Sequence, residues 1–474
     1  MNEKIKLTNG IKISIILFLF VTSFVVFKLL ENPILYKDTL NRVICSYVRD
    51  DVNKSIVWKK SNVPYYYMDT LNTKRWDGVI YYKISKSYYD GDNSKYAFFP
   101  LFPLLWKISK ISVLYIGFFN YLIFGLSILL LFNIFLDDIQ ISTIDKLCVF
   151  VISLVLPPIV VNYLPYSEAL FIATFSLAAY GLIKQKYWLY FIAIFLFAMS
   201  RPLFVIIGLS FILTDLLFLI RHKSGKHFLK ELFLKLLPLF LGTFTVFFMF
   251  YLNSGSFFKY FESIHKYWNV NFSIPKTISD WSIESFGMNV FTIFFVLFFA
   301  TIYFIKSLYS VFNSSSKQSI KQSLFNGDKS FVQEYLIILS IIYFFGVFSY
   351  ILFYQGGSLN GLNRYVFASP FFYIFLLGTY TAFKDIKLRT FAIISFVLFV
   401  VSLIFLTAFP KIEPTINFND FGFFILFIDF IFLYLLSKLN NKLKVGAVCV
   451  LVLFNIVWMT YLYNIYLCDG YIFT

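Results

Sequence analysis

An all-α protein that crosses a lipid bilayer many times is what this sequence predicts, on three observations. Hydrophobic residues make up 59% of the 474 positions and charged residues only 14%, against about 25% charged in a soluble domain whose surface must meet water. The apolar residues gather in runs near the ~20 residues that carry a helix across ~30 Å of hydrocarbon. Lys and Arg, in excess by a formal net charge of +16, are denser in alternate connections between the runs, the pattern by which positive charge orients membrane helices. Dispersed in this way they form no basic patch, which excludes nucleic acid as a partner.

The first run, Ile13 to Leu30, follows Lys4, Lys6 and Lys12. It is long and lacks a small-residue cleavage site, so it reads as an uncleaved span with a cytoplasmic N-terminus. Residues 31–110 then form a large outer loop. Within it Leu40, Val43, Ile44, Tyr47 and Val48 recur at helical spacing, the pattern of an amphipathic helix in the headgroup plane. The segment from Ala97 to Trp106, with Pro100 and Pro103, is too short to span and reads as re-entrant or interfacial.

Further spans are expected at approximately 112–135, 146–164, 167–183, 187–200, 203–220, 236–252, 289–306, 335–353, 366–383, 390–408, 421–437 and 445–463, roughly 13 in all. The cytoplasmic connections then hold Lys184 and Lys186, Arg221 to Lys235, Lys306 to Lys329, Lys384 to Arg389 and Lys438 to Lys444. The short outer ones hold little more than Arg201, Arg364 and Lys411. One lost span would reverse everything after it, so this asymmetry supports the count. A second outer loop covers 253–288 and a cytoplasmic linker 307–334, with a flexible polar run from Ser314 to Ser319. The chain 1–474 reads as one transmembrane domain without an internal repeat. Cys148 and Cys449 sit in apolar runs as small hydrophobes, while Cys45 and Cys468 both lie outside and could pair, though nothing in their spacing requires it.

Chemistry concentrates around Arg75-Trp76-Asp77-Gly78. Asp77 precedes an amphipathic pattern over 78–88, where it can cap the helix. It can equally act as a base, taking the proton from an acceptor hydroxyl as that attacks an activated group. Asp90-Gly91-Asp92 has the spacing of a carboxylate pair that shares a divalent ion, and is also a plain turn sequence. No other cofactor is expected. His265 and Trp268 lie in the second outer loop, where aromatics can line an acceptor groove or anchor the chain at the interface.

The run Trp76-Asp77, a helix ending in Tyr, and then Phe98-Phe99-Pro100-Leu101-Phe102-Pro103-Leu104-Leu105 resembles the PIG-V-like mannosyltransferases, bacterial relatives of GPI mannosyltransferase II in the C-type glycosyltransferase superfamily. In the same order follow Pro165-Tyr166-Ser167-Glu168-Ala169-Leu170-Phe171, Ser200-Arg201-Pro202, Tyr267-Trp268-Asn269-Val270 and Asn363-Arg364-Tyr365. The resemblance thus covers patches from about 75 to 380. It implies an inverting, multi-spanning transferase in the plasma membrane of a bacterium rather than the endoplasmic reticulum. The donor would be a polyprenyl-phosphate-linked hexose, mannose by the resemblance. The acceptor would be a glycan, glycolipid or protein, and Asp77 the base.

An outer-face site has no access to cytoplasmic nucleotide sugars, and the chain carries no Gly-rich phosphate-binding segment. A lipid phosphate leaves as a stable anion and calls for positive charge rather than a general acid. Arg201 and Arg364, each where an outer loop meets a span, suit that role, or they snorkel to the headgroups. Glu168 can orient an Arg, bind sugar hydroxyls or stabilise a helix N-terminus. Trp76, Tyr81 and Tyr365 complete the expected substrate-binding set with Glu168, His265 and Trp268. The rival class is a transporter or lipid flippase, marked by charges in mid-span facing a pathway. Asp215 and Asp429 are its candidates, both read as near span ends. A scaffold in a glycan-assembly complex is a third class.

Overall fold

The computed structural model describes residues 70–136, 141–222, 225–268, 270–275, 283–313, 328–408 and 421–467, with 47–49, 56–58 and the isolated positions 278, 325 and 472. Nearly all of these residues are helical. Two short strands, β1 (Tyr47–Arg49) and β2 (Ile56–Trp58), pair antiparallel with Tyr47 opposite Trp58. The helix expected through Tyr47 and Val48 is therefore a strand at those positions. Short apolar runs rich in β-branched residues fit either period, and here pairing decided. Its other residues, the first expected span and the pair Cys45/Cys468 lie outside the described residues.

The segment expected as the first outer loop continues as α1 (Asp77–Ser87), a 3-10 turn at Asn93–Ala97 and α2 (Leu101–Ser109). The short α2, opened by Pro100, is the segment expected to be too short to span. Then come α3 (Val113–Leu136), α4 (Thr143–Ser153), a 3-10 segment at Pro157–Tyr163, α5 (Glu168–Ile183), α6 (Tyr187–Ala198), α7 (Phe204–His222) and α8 (Gly225–Ser254). The segment expected as the second outer loop contains α9 (Lys259–Trp268). Next are α10 (Ile283–Phe291), a π-helical turn at Thr292–Leu297, α11 (Phe298–Asn313), α12 (Lys329–Tyr354), α13 (Leu362–Phe367), α14 (Pro370–Lys384), α15 (Leu388–Ala408), α16 (Phe421–Leu435) and α17 (Asn441–Leu467). Both α11 and α12 reach into the expected linker 307–334, while its Ser-rich run lies outside the described residues.

Among the described residues, seven helices are long and apolar enough to cross a membrane, or eight if one bent pair counts as a span. The sequence reading of roughly 13 includes the run at Ile13 to Leu30, outside the described residues, and several runs that form shorter helices. The span expected at 146–164 is α4 and the 3-10 segment, bent by 67° where Pro157 and Pro158 remove backbone donors. The runs at 167–183, 187–200 and 203–220 form the shorter apolar helices α5, α6 and the apolar part of α7, Phe204–Ile220. The run at 366–383 gives the 15-residue α14. At 1.5 Å per residue, α5 covers roughly 24 Å and α6 roughly 18 Å, short of the hydrocarbon thickness.

The helices define two ends of the bundle. Glu168 opens α5 and Lys184 follows its last residue, while α6 runs back from Lys186 towards Arg201. Lys329 opens α12, Arg364 lies beyond that helix, and α14 returns to Lys384. So Glu168, Arg201 and Arg364 share one end, and the lysine-rich connections share the other. At the basic end Lys444 bonds Asp145 and Lys235 bonds Asp215, each pair buried at 2.5 Å. Asp429 lies mid-helix in α16, not near a span end, and both its carboxylate oxygens accept from Asn455 Nδ2 of α17 at 3.1 and 3.0 Å.

A second apolar cluster outside the main core holds the segment 81–106 in place. Tyr81, Ile84, Tyr89, Tyr96, Phe98, Phe99, Phe102 and Trp106 pack with Phe250 of α8 and Tyr260 of α9. The Tyr89 hydroxyl donates to the Phe98 carbonyl at 2.8 Å. Leu101 N–H donates to the Met199 carbonyl at 3.1 Å, fixing α2 beside the segment that carries Arg201.

Candidate active site

Four charged side chains from distant parts of the chain meet at the site end. Arg364 Nη2 donates to Asp77 Oδ2 at 2.7 Å and its Nε to Glu168 Oε1 at 2.6 Å. Arg201 Nη1 reaches the same Glu168 oxygen at 3.1 Å. Glu168 is fully buried, and Asp77 is the most exposed member, with 14% of its side chain accessible. Two carboxylates and two guanidinium groups balance, which is how four charges can share a buried place. Aromatic faces extend the pairing: Arg364 lies 4.8 Å from the Tyr166 ring centroid, and Arg201 lies 5.5 Å from Phe171 and 5.3 Å from Tyr365, within cation–π range.

Each member is held by local structure. Asp77 is the first residue of α1 and not its N-cap, a position that Trp76 holds; its carboxylate accepts from Arg364 instead. The capping reading is thereby replaced. Gly78 permits the approach, since a Cβ there would lie 2.7 Å from Pro165 Cγ and 3.1 Å from Tyr466 Oη. Glu168 heads α5 after the segment Leu164–Ser167, which is fastened to α3 by Asn120 Nδ2 donating to the carbonyls of Leu164 and Tyr166 at 2.7 and 3.0 Å. In α3 a side chain on Gly117 would overlap the Tyr163 carbonyl oxygen. Arg364 sits in α13, reached through Gly356, Gly357 and Gly361, all at positive φ, a backbone region that glycine enters without a Cβ clash. Asn363 fixes α13 to α10 by donating its N–H to Asn289 Oδ1 at 2.9 Å.

Tyr466, near the end of α17, is a site residue that sequence reading missed. Its hydroxyl accepts from Arg75 N–H at 3.1 Å and lies 3.1 and 3.0 Å from the carbonyls of Thr73 and Arg75. Trp76 between this clamp and Asp77 holds φ at 49°, a strained value for a bulky residue. Replacing Tyr466 by Phe is expected to cost about 1–3 kcal/mol, the penalty for leaving buried backbone groups without their partner. The readouts are a lower melting temperature and faster proteolysis around 69–76. An unchanged melting temperature would remove the clamp. Only hydroxyl geometry across 391 positions reveals this contact, and no local pattern in the sequence signals it.

Among the expected substrate-binding residues, Tyr81 is buried with its hydroxyl 2.8 Å from Ser167 Oγ. Burial first, and then the charges of Glu168 and Asp77, push its hydroxyl well above the usual tyrosine range, so it stays neutral. Tyr365 packs under Arg201, and its carbonyl accepts from the Tyr343 hydroxyl at 3.2 Å. Trp76 is exposed by 41%. Trp268 stacks edge-on against Phe98 at 5.5 Å, and Phe98 against Tyr81 at 5.1 Å. His265 is exposed on α9, and among the described residues no contact joins it to the four charges.

Asp92 takes the turn role. It caps the 3-10 turn by accepting from Ser94 N–H at 3.0 Å and Ser94 Oγ at 2.6 Å, and the Ser94 hydroxyl is the main reason its carboxyl is held below the usual range. The carbonyl of Asp90 accepts from Lys95 Nζ at 2.7 Å. Among the described residues no three His, Cys, Asp or Glu side chains gather closely enough to hold a metal ion. Compared with protein-family models, characterised proteins and solved structures, the chain matches none.

Proposed function

We propose that the protein is a membrane glycosyltransferase of the C-type kind, moving a hexose from a polyprenyl-phosphate donor to an acceptor hydroxyl with inversion. The reading rests above all on the Asp77–Arg364–Glu168–Arg201 cluster at the end of the bundle opposite the basic connections. By the positive-inside rule that end faces away from the cytoplasm, where donors come as lipid phosphates.

In this reading Arg201 and Arg364 bind the donor phosphate and stabilise the charge it gains as the glycosidic C–O bond breaks. Asp77, the accessible carboxylate, takes the proton of the attacking hydroxyl. The attack comes from the face opposite the leaving phosphate, and polyprenyl phosphate departs. Glu168 is a positioning residue that keeps both guanidinium groups aimed. The short helices support the picture. With their basic ends at the cytoplasmic interface, α5 and α6 stop roughly 6–12 Å below the far surface of a ~30 Å core, where a lipid headgroup can reach the arginines from the side. The resemblance to PIG-V-like enzymes makes mannose the first hexose to try.

The rival transport reading looks for mid-span charges facing a pathway; Asp429 lies mid-helix and bonds Asn455, whereas Asp145 and Asp215 pair with lysines at the basic end. The deciding test gives purified protein in lipid nanodiscs radiolabelled polyprenyl-phosphate mannose and octyl mannoside as a surrogate acceptor. The expected products are a dimannoside and free polyprenyl phosphate. Recovery of intact donor, together with protein-dependent movement of that lipid across liposomes, would replace the transferase by a flippase.

A further inference from the structure

A cleft of about 270 Å³ lies away from the charged cluster, between α4, the π-helical turn, α11, α14 and α16. Its wall follows α14 from Phe372 to Phe383 and continues to Ile386 just beyond the helix; the helical part alone covers roughly 16 Å at 1.5 Å per residue, about the ~15 Å depth of one leaflet. Two departures from regular helix border it: the bend after Ser153 and the π-helical turn at Thr292–Leu297. Such irregular backbone is tolerated in a membrane where it lines a cavity.

The two ends of the cleft differ. Towards the charged cluster it is closed by Phe291, Phe367 and Phe372, at 5%, 1% and 7% exposure. Towards the basic end it is lined by exposed Ile302 and Lys306 and half-buried Ile386, close in sequence to Lys384, Lys387 and Arg389. Three polar side chains on the wall already have partners. Ser153 and Thr379 donate to the carbonyls of Val149 and Phe375 in their own helices, and Asp429 accepts from Asn455. What remains is an apolar, largely aromatic slot, blind at the site end and open beside a lysine at the cytoplasmic end.

We infer that this cleft holds one acyl chain of an anionic glycerophospholipid from the cytoplasmic leaflet, with its phosphate at Lys306. The closed outer end keeps out the tail of a lipid entering beside Arg364. Basic groups at the cytoplasmic mouth of a slot between helices are the setting in which anionic headgroups bind. The site does not depend on the transferase reading.

The test is native mass spectrometry of the detergent-purified chain after exchange with dioleoyl phosphatidylglycerol or dioleoyl phosphatidylcholine. One phosphatidylglycerol per chain is expected, preferred over phosphatidylcholine. Lys306→Gln should reduce that preference about fivefold, the effect of one cationic side chain near an anionic lipid. Thr379→Trp should block the slot, and Ala382→Phe at the exposed mouth does the same without touching the core. Binding of neither lipid overturns the inference. So does binding indifferent to headgroup and to Lys306→Gln, or displacement of phosphatidylglycerol by polyprenyl phosphate.

Discussion

Asp77→Asn is expected to lower kcat for hexose transfer by about 10²–10⁴, the range over which a positioned base accelerates proton transfer. The substitution is nearly isosteric, and the amide oxygen can still accept from Arg364 Nη2, which now donates to Asp77 at 2.7 Å. Folding and insertion should therefore persist, with a melting temperature near that of the wild type. The donor KM should not rise, because Arg201 and Arg364 remain and the four-residue site changes from neutral to a net single positive charge. A fall in kcat without a rise in KM locates the loss in the transition state. Transfer within a few-fold of wild type would end the assignment of Asp77 as the base. A large drop in melting temperature with proportionate loss of activity would make Asp77 a structural anchor of α1 instead.

The membrane character of the chain was legible because it resides in composition and run length, which need no tertiary information. The same cue does not give helix length. Apolar runs at 167–183 and 187–200 look like crossings, yet α5 and α6 stop at 16 and 12 residues. Their ends make room for Glu168 and Arg201, and an apolar run does not record where its helix stops. Asp77, Arg201, Arg364 and Glu168 were individually visible as charges beside apolar runs, where they are costly. Their convergence was not, since Arg364 lies 287 positions from Asp77 and Tyr466 still farther away. The 3-10 cap at Asp92 illustrates the converse. Both a metal pair and a turn fit Asp90-Gly91-Asp92, and Ser94, two residues on, was the local sign favouring the turn.

Glu168 is where stability and function should prove hardest to separate. Both guanidinium groups lean on its Oε1, at 2.6 and 3.1 Å, and it is fully buried. Glu168→Gln leaves two buried cations near each other with Asp77 as their remaining counter-charge. Breaking a buried ion pair in this way costs about 3–5 kcal/mol, so a marked fall in melting temperature is expected, far beyond that of Asp77→Asn. The donor KM should rise as well, because the arginines lose the group that aims them. Adding Arg201→Met to Glu168→Gln removes the surplus cation and leaves the Arg364–Asp77 pair intact. That double variant should regain about 0.5–3 kcal/mol relative to the sum of the single changes, the coupling typical of residues in contact. Its donor binding should stay weak, since one of two phosphate-binding groups is gone. Recovery of stability without recovery of donor binding separates the electrostatic role of Glu168 from packing. A Glu168→Gln protein that melts and transfers like wild type would mean that the arginines are held by their aromatic neighbours alone.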